Sequence, residues 1–289
     1  MSNNLQVFNK TLANPKTQEY LQQVLAEKKG AFVNNITALV ANDAKLQACE
    51  PISLMYAGIK ATALDLPLDT NLGFAYVIPY NNRKAGKMEA QFQIGYKGFI
   101  QLAIRSGQFK TLNVTDVKEG ELKEVNLLTG EISFEARPNR AELKTIGYVA
   151  YFRLVNGFEK TLYMDAKEIE KHAKTYSQTY SSNKDYVRNA SKWVTDFDAM
   201  AKKTVIKLLL SRYAPLSVEM QSAITSDQAV MDDKGTHYVD HTSVEDAVAE
   251  EITENANQEE IDLPEDAGDE EEQPTEEDEQ EETEDHPNF

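Results

Sequence analysis

Residues 183–213 carry Lys184, Arg188, Lys192, Lys202, Lys203, Lys207 and Arg212 against Asp185, Asp196 and Asp198, a local excess of four positive charges. From Ala199 to Tyr213 the bases face no acid at all, unlike the alternating charges of a salt-bridged surface helix. The chemistry open to such a segment is electrostatic: ammonium and guanidinium groups neutralise phosphates and release the counterions condensed on a nucleic acid. Tyr176, Tyr180 and Tyr186 stand just upstream among Ser, Asn and Lys, and cations interleaved with rings suit a single-strand path. A second run without acids, from Ile94 to Gln108, places Tyr96 and Lys97 between Gly95 and Gly98 at the entry to an expected helix. Unpaired N–H groups and the helix dipole favour a phosphate there. Close packing accounts for the two glycines equally well.

Other constellations carry less. Asp196 and Asp198 offer carboxylates for metal-dependent hydrolysis, but at i and i+2 on a helix their side chains diverge. His237 and His241, with Asp240 between them, hold a metal only if that segment is helical, and Gly235 and its polar context argue against it. His172, in a Lys/Glu-rich helix, is expected to be a solvated surface residue. The sequence has no G-x-x-x-x-G-K-[ST] loop and no G-x-G-x-x-G after a strand, hence no recognisable nucleotide cradle and no expected cofactor. Cys49 is the only cysteine, which excludes an internal disulfide and a Cys-rich zinc site; after Ile36, Leu39, Val40 and Leu46 it is expected to be a small buried residue.

The elements that must position these residues begin with helices. Asn14-Pro15 starts one that carries Tyr20, Leu21, Val24 and Leu25 and closes at Gly30. A second is expected over Phe32 to Lys45, and a third after Pro51, with Ile52, Met55, Tyr56 and Ile59 on one face, ending before Pro67. From Leu72 the pattern turns to strands: 74–78 and 89–94 flank a basic tip, Asn81 to Gly86. A helix follows from about Tyr96 to Arg105, stopped by Ser106-Gly107. Ile146–Val155 and Phe158–Met164 around Asn156-Gly157 form a two-residue hairpin signal. Asp165 caps a helix to Lys174, and the longest helix is expected over Ala190 to Tyr213. At about 100° per residue its apolar face holds Trp193, Phe197, Met200, Ala201, Thr204, Val205 and Leu208. Lys192, Lys203 and Lys207 fall opposite, as a basic ridge, with Trp193 in the core.

This order predicts an α+β fold: N-terminal helices, central antiparallel β-hairpins or sheet, a long C-terminal amphipathic helix, then a disordered acidic tail. The expected domains are a helical arm over 1–30, an α+β core over 31–218 that carries both basic segments, and a linker with acidic tail over 219–289. Charge supports the last division. The net charge of −18 hides the fact that 23 of 48 acids, and none of the 30 Lys and Arg, lie after Lys234, leaving a body of +5. Runs such as 269–272 and 276–279 cannot bury enough apolar surface to offset chain entropy. With neither a signal-like start nor an apolar run near ~18 residues, the chain is expected in the cytosol, with no membrane partner.

The two basic segments together resemble the RecT family of phage single-strand DNA annealing proteins. The resemblance rests on Gln93-Ile94-Gly95-Tyr96-Lys97-Gly98-Phe99-Ile100 leading to Arg105-Ser106-Gly107, and on Trp193 followed by Asp196-Phe197-Asp198-Ala199-Met200-Ala201-Lys202-Lys203-Thr204-Val205. It covers roughly residues 30–215 and assigns DNA binding and oligomerisation to the 31–218 core. Where many relatives continue with paired arginines, this chain has Lys207-Leu208, one charge fewer. The resemblance implies an ATP-independent recombination protein that oligomerises on single-stranded DNA, pairs complementary strands and retains the annealed duplex. It also implies a phage or prophage origin, a bacterial cytoplasm, and a phage exonuclease or host single-strand-binding protein as partner of the C-terminal region. On that reading Lys97, Arg105, Lys110, Lys192, Lys202, Lys203, Lys207 and Arg212 contact phosphates, and Gln93, Tyr96 and Phe99 contact sugars or bases. Engaging about six to ten phosphates would cost on the order of 10³ to 10⁵ in affinity between about 50 and 200 mM salt. The competing readings are a metal-dependent nuclease built on Asp196 and Asp198, and an interaction scaffold built on the acidic tail.

Overall fold

The computed structural model describes residues 3–82, 85–126, 128–177, 179–232 and 235–238. The acidic segment expected to be disordered, and Arg83 and Lys84 of the expected hairpin tip, lie outside the described residues. Five helices come first: α1 (Asn3–Ala13), α2 (Pro15–Leu25), α3 (Lys29–Ala41), α4 (Ala44–Gln47) and α5 (Pro51–Ala63). Asn14 caps α2 by accepting the Lys16 N–H at 2.9 Å. That helix ends at Ala26, which takes a positive φ of 47°, so the glycine expected to close it, Gly30, lies inside α3. The single helix expected over 32–45 is two, because Asp43 accepts the N–H groups of Lys45 and Leu46 and caps a new start. Leu21, Phe32, Ile36 and Val40 are buried in one apolar cluster with Phe92, Phe99 and Leu209. Cys49 is buried as expected, and burial pushes its thiol up to about 11.

The strands follow: β1 (Ala75–Asn82), β2 (Lys87–Ile94), then helix α6 (Tyr96–Arg105), β3 (Phe109–Lys118), β4 (Leu122–Val125), β5 (Ile132–Phe134), β6 (Thr145–Leu154) and β7 (Glu159–Asp165). After them come α7 (Ala166–Tyr176), α8 (Asp185–Asn189), α9 (Lys192–Thr195), α10 (Phe197–Tyr213), α11 (Val218–Ser226), β8 (Ala229–Asp232) and β9 (Gly235–Tyr238). One antiparallel sheet has the order β1-β2-β8-β9, a second β3-β6-β7, and β4-β5 forms a separate pair. In the first, Ala75 faces Ile94 and Asn82 faces Lys87. The β6–β7 turn is wider than two residues: Arg153 pairs with Glu159, and Gly157, at φ 92°, donates its N–H back to the Leu154 carbonyl at 3.0 Å. The fold is α+β, with helices leading, antiparallel sheets central and the long helix late in the chain.

The helix expected from 190 to 213 is broken. Asp196 leaves helical geometry (φ −151°, ψ 63°) and caps α10 by accepting the Ala199 N–H at 3.3 Å. From there α10 packs against β3, β6, β7 and α6, and every residue from Lys203 to Leu210 is buried. Helix α10 therefore runs through the core with no exposed ridge at Lys203 and Lys207. The segment after 218, which composition marks as linker, carries α11 and β8, and β8 pairs with β2. Among the described residues no helix is long and apolar enough to cross a membrane.

Candidate nucleic-acid interface

The end of β2, the start of α6, α9 and the start of α10 enclose a cleft of about 320 Å³. It brings together Gln93, Tyr96 and Lys97 from one segment with Lys192, Asp196, Asp198 and Lys202 from the other, some hundred residues away. Two glycines make the approach possible. A Cβ on Gly95 would lie 2.2 Å from the Gly73 carbonyl oxygen, and one on Gly98 would lie 2.2 Å from that of Phe74. The Gly95 N–H donates to the Phe74 carbonyl at 2.9 Å. Packing thus accounts for both glycines, and it seats the α6 N-terminus, which has no side-chain cap, at the cleft.

Lys97 and Lys192 are exposed and Lys202 is half-buried, so three ammonium groups reach the cleft. The two carboxylates beside them have structural duties. Asp196 caps α10, while Asp198 accepts a hydrogen bond from the hydroxyl of Tyr148, a residue that is itself 1% exposed. Burial and the Asp198 charge push the Tyr148 phenol well above its ordinary range. Among the described residues no group of three or more His, Cys, Asp or Glu could hold a metal. Tyr76 also lines the cleft, with its phenol raised by burial, Asp196 and Tyr96.

Several expected contacts are held differently, and Lys203 borders the cleft only as a buried side chain. Lys203 and Lys207, expected on an exposed ridge, are each 6% exposed. Lys203 Nζ donates to Asp227 Oδ1 at 2.8 Å and Lys207 Nζ to Oδ2 at 3.2 Å. Asp227 is 0% exposed and also accepts the Ile94 N–H at 2.8 Å. One carboxylate thus ties α10 to the end of β2, joining the two walls of the cleft from behind. Burial pushes the Lys203 ammonium down against the pull of Asp227. For Asp227, burial acts upward, but Lys203 and Lys207 prevail and hold its carboxyl below the usual range. Phe99, expected at a sugar or base, is fully buried in the core, because it lies on the inner face of α6.

Gln93 lines the cleft and donates to Gln91 Oε1 at 2.7 Å. Arg105, at the far end of α6, donates to the Leu64 carbonyl at 2.7 Å and lies 3.6 Å from Asp65. Lys110 is exposed on β3, outside the cleft. Arg212 lines a second cavity with His172, Tyr176 and Trp193. His172, expected at the solvated surface, is half-buried with its ring centroid 4.6 Å from that of Tyr176. Trp193 is core at 6% exposure, and half-buried Tyr180 leans on it at 6.3 Å; of the three upstream tyrosines Tyr186 is the exposed one. His237 lies on a strand, so no helical i, i+4 pair forms with His241, which is outside the described residues.

Asp227, Tyr148 and Tyr76 are the residues that sequence reasoning missed. A signal for the first existed: two lysines four apart, set among Val205, Ile206, Leu208, Leu209 and Leu210, read as a helix apolar all round, which requires a buried partner for each charge.

Two relatives bear on the cleft's identity. The chain is 38% identical over 255 residues to "Uncharacterized protein YqaK" of Bacillus subtilis (strain 168), spanning 88% of this chain and 81% of that protein. It is 32% identical over 233 residues to "Protein RecT" of Escherichia coli (strain K12), spanning 74% of this chain and 77% of that protein. Residues 30–245, which contain both walls of the cleft and the Asp227 tie behind them, match the sequence model of the RecT family, and the chain belongs to that family.

Proposed function

We propose that the cleft holds the phosphates of single-stranded DNA against Lys97, Lys192 and Lys202, and that the protein anneals complementary strands without ATP as a homo-oligomer. Family membership supports a role in DNA recombination by strand annealing in general. The observation that carries the finer reading is the meeting, in one cleft, of two distant segments that bring Lys97, Lys192 and Lys202 together, while the two carboxylates beside them are engaged, Asp196 as the cap of α10 and Asp198 by the Tyr148 hydroxyl.

Annealing breaks no covalent bond. It needs the repulsion between two polyanions lowered and base edges kept available, after which the duplex supplies specificity and most of the driving force. Gln93, Tyr96 and Tyr76 face the same cleft and would meet sugars or bases. Lys203, Lys207 and Asp227 act indirectly, by fixing the cleft walls. Lys110 and Arg212, exposed outside the cleft, would extend the path. The setting we assign is a phage-derived protein in a bacterial cytoplasm, with an exonuclease or a host single-strand-binding protein engaged through the C-terminal region.

Three phosphates in the cleft, or five with Lys110 and Arg212, in place of six to ten lower the expected salt response. At about 0.7 per phosphate on a single strand, the slope of log K against log salt is about −2 to −3.5 per protomer, roughly a 20- to 130-fold loss between about 50 and 200 mM. A titration of oligonucleotide against the full chain measures it. A flat response removes the reading. Magnesium-dependent digestion of linear duplex would instead favour the nuclease.

A further inference from the structure

Beside the cleft, further along α10, lies a second cavity of about 170 Å³. The two share Met200 and Lys203, so one layer of side chains separates them. Its walls carry three aromatic rings, Trp193, Tyr176 and His172, and its floor is the Lys203–Asp227–Lys207 cluster. An apolar cavity of about 150 Å³ takes one benzene ring, so the space here fits a single six-membered ring. The floor sets the polarity of that ring: two ammonium groups, which only donate, meet one carboxylate that already accepts from both and from the Ile94 N–H. A flat ring with carbonyl acceptors on its edge matches both features. The half-buried His172 and Tyr176 and the exposed Arg212 line the side nearer solvent.

We infer that this cavity is a nucleobase pocket that receives a pyrimidine splayed out of the strand whose phosphates occupy the cleft. The inference rests on the proposed function of the cleft. The ring lies against Trp193 and Tyr176, and a ring carbonyl points to the buried Lys203 ammonium. Adenine has no ring carbonyl to set against that floor. The consequence for annealing is that one base at intervals along the bound strand is withheld from pairing until the complement displaces it.

Trp193 is the only tryptophan of the chain, so its fluorescence reports the cavity. The full chain is titrated with end-labelled oligothymidylate, oligodeoxyadenylate and an abasic strand of equal length, with anisotropy for binding and tryptophan emission for the pocket. All three bind through the cleft. Oligothymidylate quenches Trp193, oligodeoxyadenylate quenches less, and the abasic strand leaves the emission unchanged and binds at least about fivefold more weakly, the lower end of what base stacking contributes. Ser211→Phe, which fills the cavity from α10, abolishes the quench while strand binding persists. Equal quenching by the abasic strand or by inorganic phosphate alone overturns the inference, marking an anion site. Binding of oligothymidylate without any quench in the unaltered protein overturns it as well, and leaves the cleft reading intact. Failure of every strand to bind removes both.

Discussion

Asp227→Ala should lower the melting temperature by ~8–32 °C. In the native chain this carboxylate is 0% exposed and pairs with two ammonium groups that are 6% exposed. Its removal takes the counter-charge from the buried Lys203 and one acceptor from Lys207, which costs at least about 3–5 kcal/mol. The Ile94 N–H loses its acceptor too, worth about 1–3 kcal/mol more. For a folded body of this size ~1 kcal/mol displaces the midpoint by about 2–4 °C. The sign of the pH dependence follows: burial already holds the Lys203 folded pKa below its unfolded one, and loss of Asp227 lowers it further, so the unfolded chain binds more protons and the stability of the variant rises with pH. The deficit of Asp227→Ala should therefore shrink from about pH 7 to about pH 9.5, toward the unfolded lysine value near 10.4. Thermal unfolding of the full chain by circular dichroism, without DNA, measures both. Lys202→Ala, next to Lys203 but half-buried and facing the cleft, is the control and should stay within about 0.5 kcal/mol. The triple change Lys203→Met, Lys207→Met, Asp227→Leu should recover most of the loss, since apolar residues of similar volume replace a buried ionic cluster at little cost. A midpoint for Asp227→Ala within about 2 °C of the unaltered protein, a range that corresponds to at most about 1 kcal/mol, would refute the reasoning.

Lys97→Ala and Lys192→Ala should each reduce the salt slope of strand binding by about 0.7 with the melting temperature unchanged, measured by titrations at several salt concentrations. Gly98→Ala should lower both stability and strand affinity, because its methyl would sit 2.2 Å from the Phe74 carbonyl oxygen; the overpacking cost is about 1–3 kcal/mol, and a neutral melt would contradict it. The Asp227 carboxyl is held below its ordinary 3.8. Its contribution is therefore full above that value and lost as pH falls through the depressed folded one, and Asp227→Asn should flatten the acid limb of a stability-against-pH curve.

How much of this was legible in the sequence differs from element to element. Helix α6 matches its expected bounds because local signals fix both ends, Gly95 at the cap and Gly107 in the left-handed region just past the last turn. Asn14-Pro15 and the Asp165 capping box are legible for the same reason. The side of α10 that meets solvent was not, since its wheel has apolar residues on both flanks and only tertiary packing chooses between them. Burial of Lys203 and Lys207 depends on Asp227, 24 and 20 residues further on, in a stretch whose composition resembles linker. The strand that places Asp227, β8, pairs with β2 across more than a hundred residues, a contact no local pattern encodes. Gln93, Tyr96, Lys97, Lys192 and Lys202 were singled out from motifs alone, but their meeting in one cleft required the fold.

The most direct test of the account is an annealing assay. Two complementary oligonucleotides, one carrying a fluorophore and the other a quencher, are mixed with the full chain without nucleotide and in the presence of a metal chelator. The unaltered protein should accelerate pairing well above the spontaneous rate. The variant Lys97→Ala, Lys192→Ala, Lys202→Ala, which removes the three solvent-reaching lysines of the cleft, should fall back to the spontaneous rate while melting at the same temperature. Full acceleration by that variant, or none by the unaltered chain, would contradict the assignment of strand annealing to this cleft.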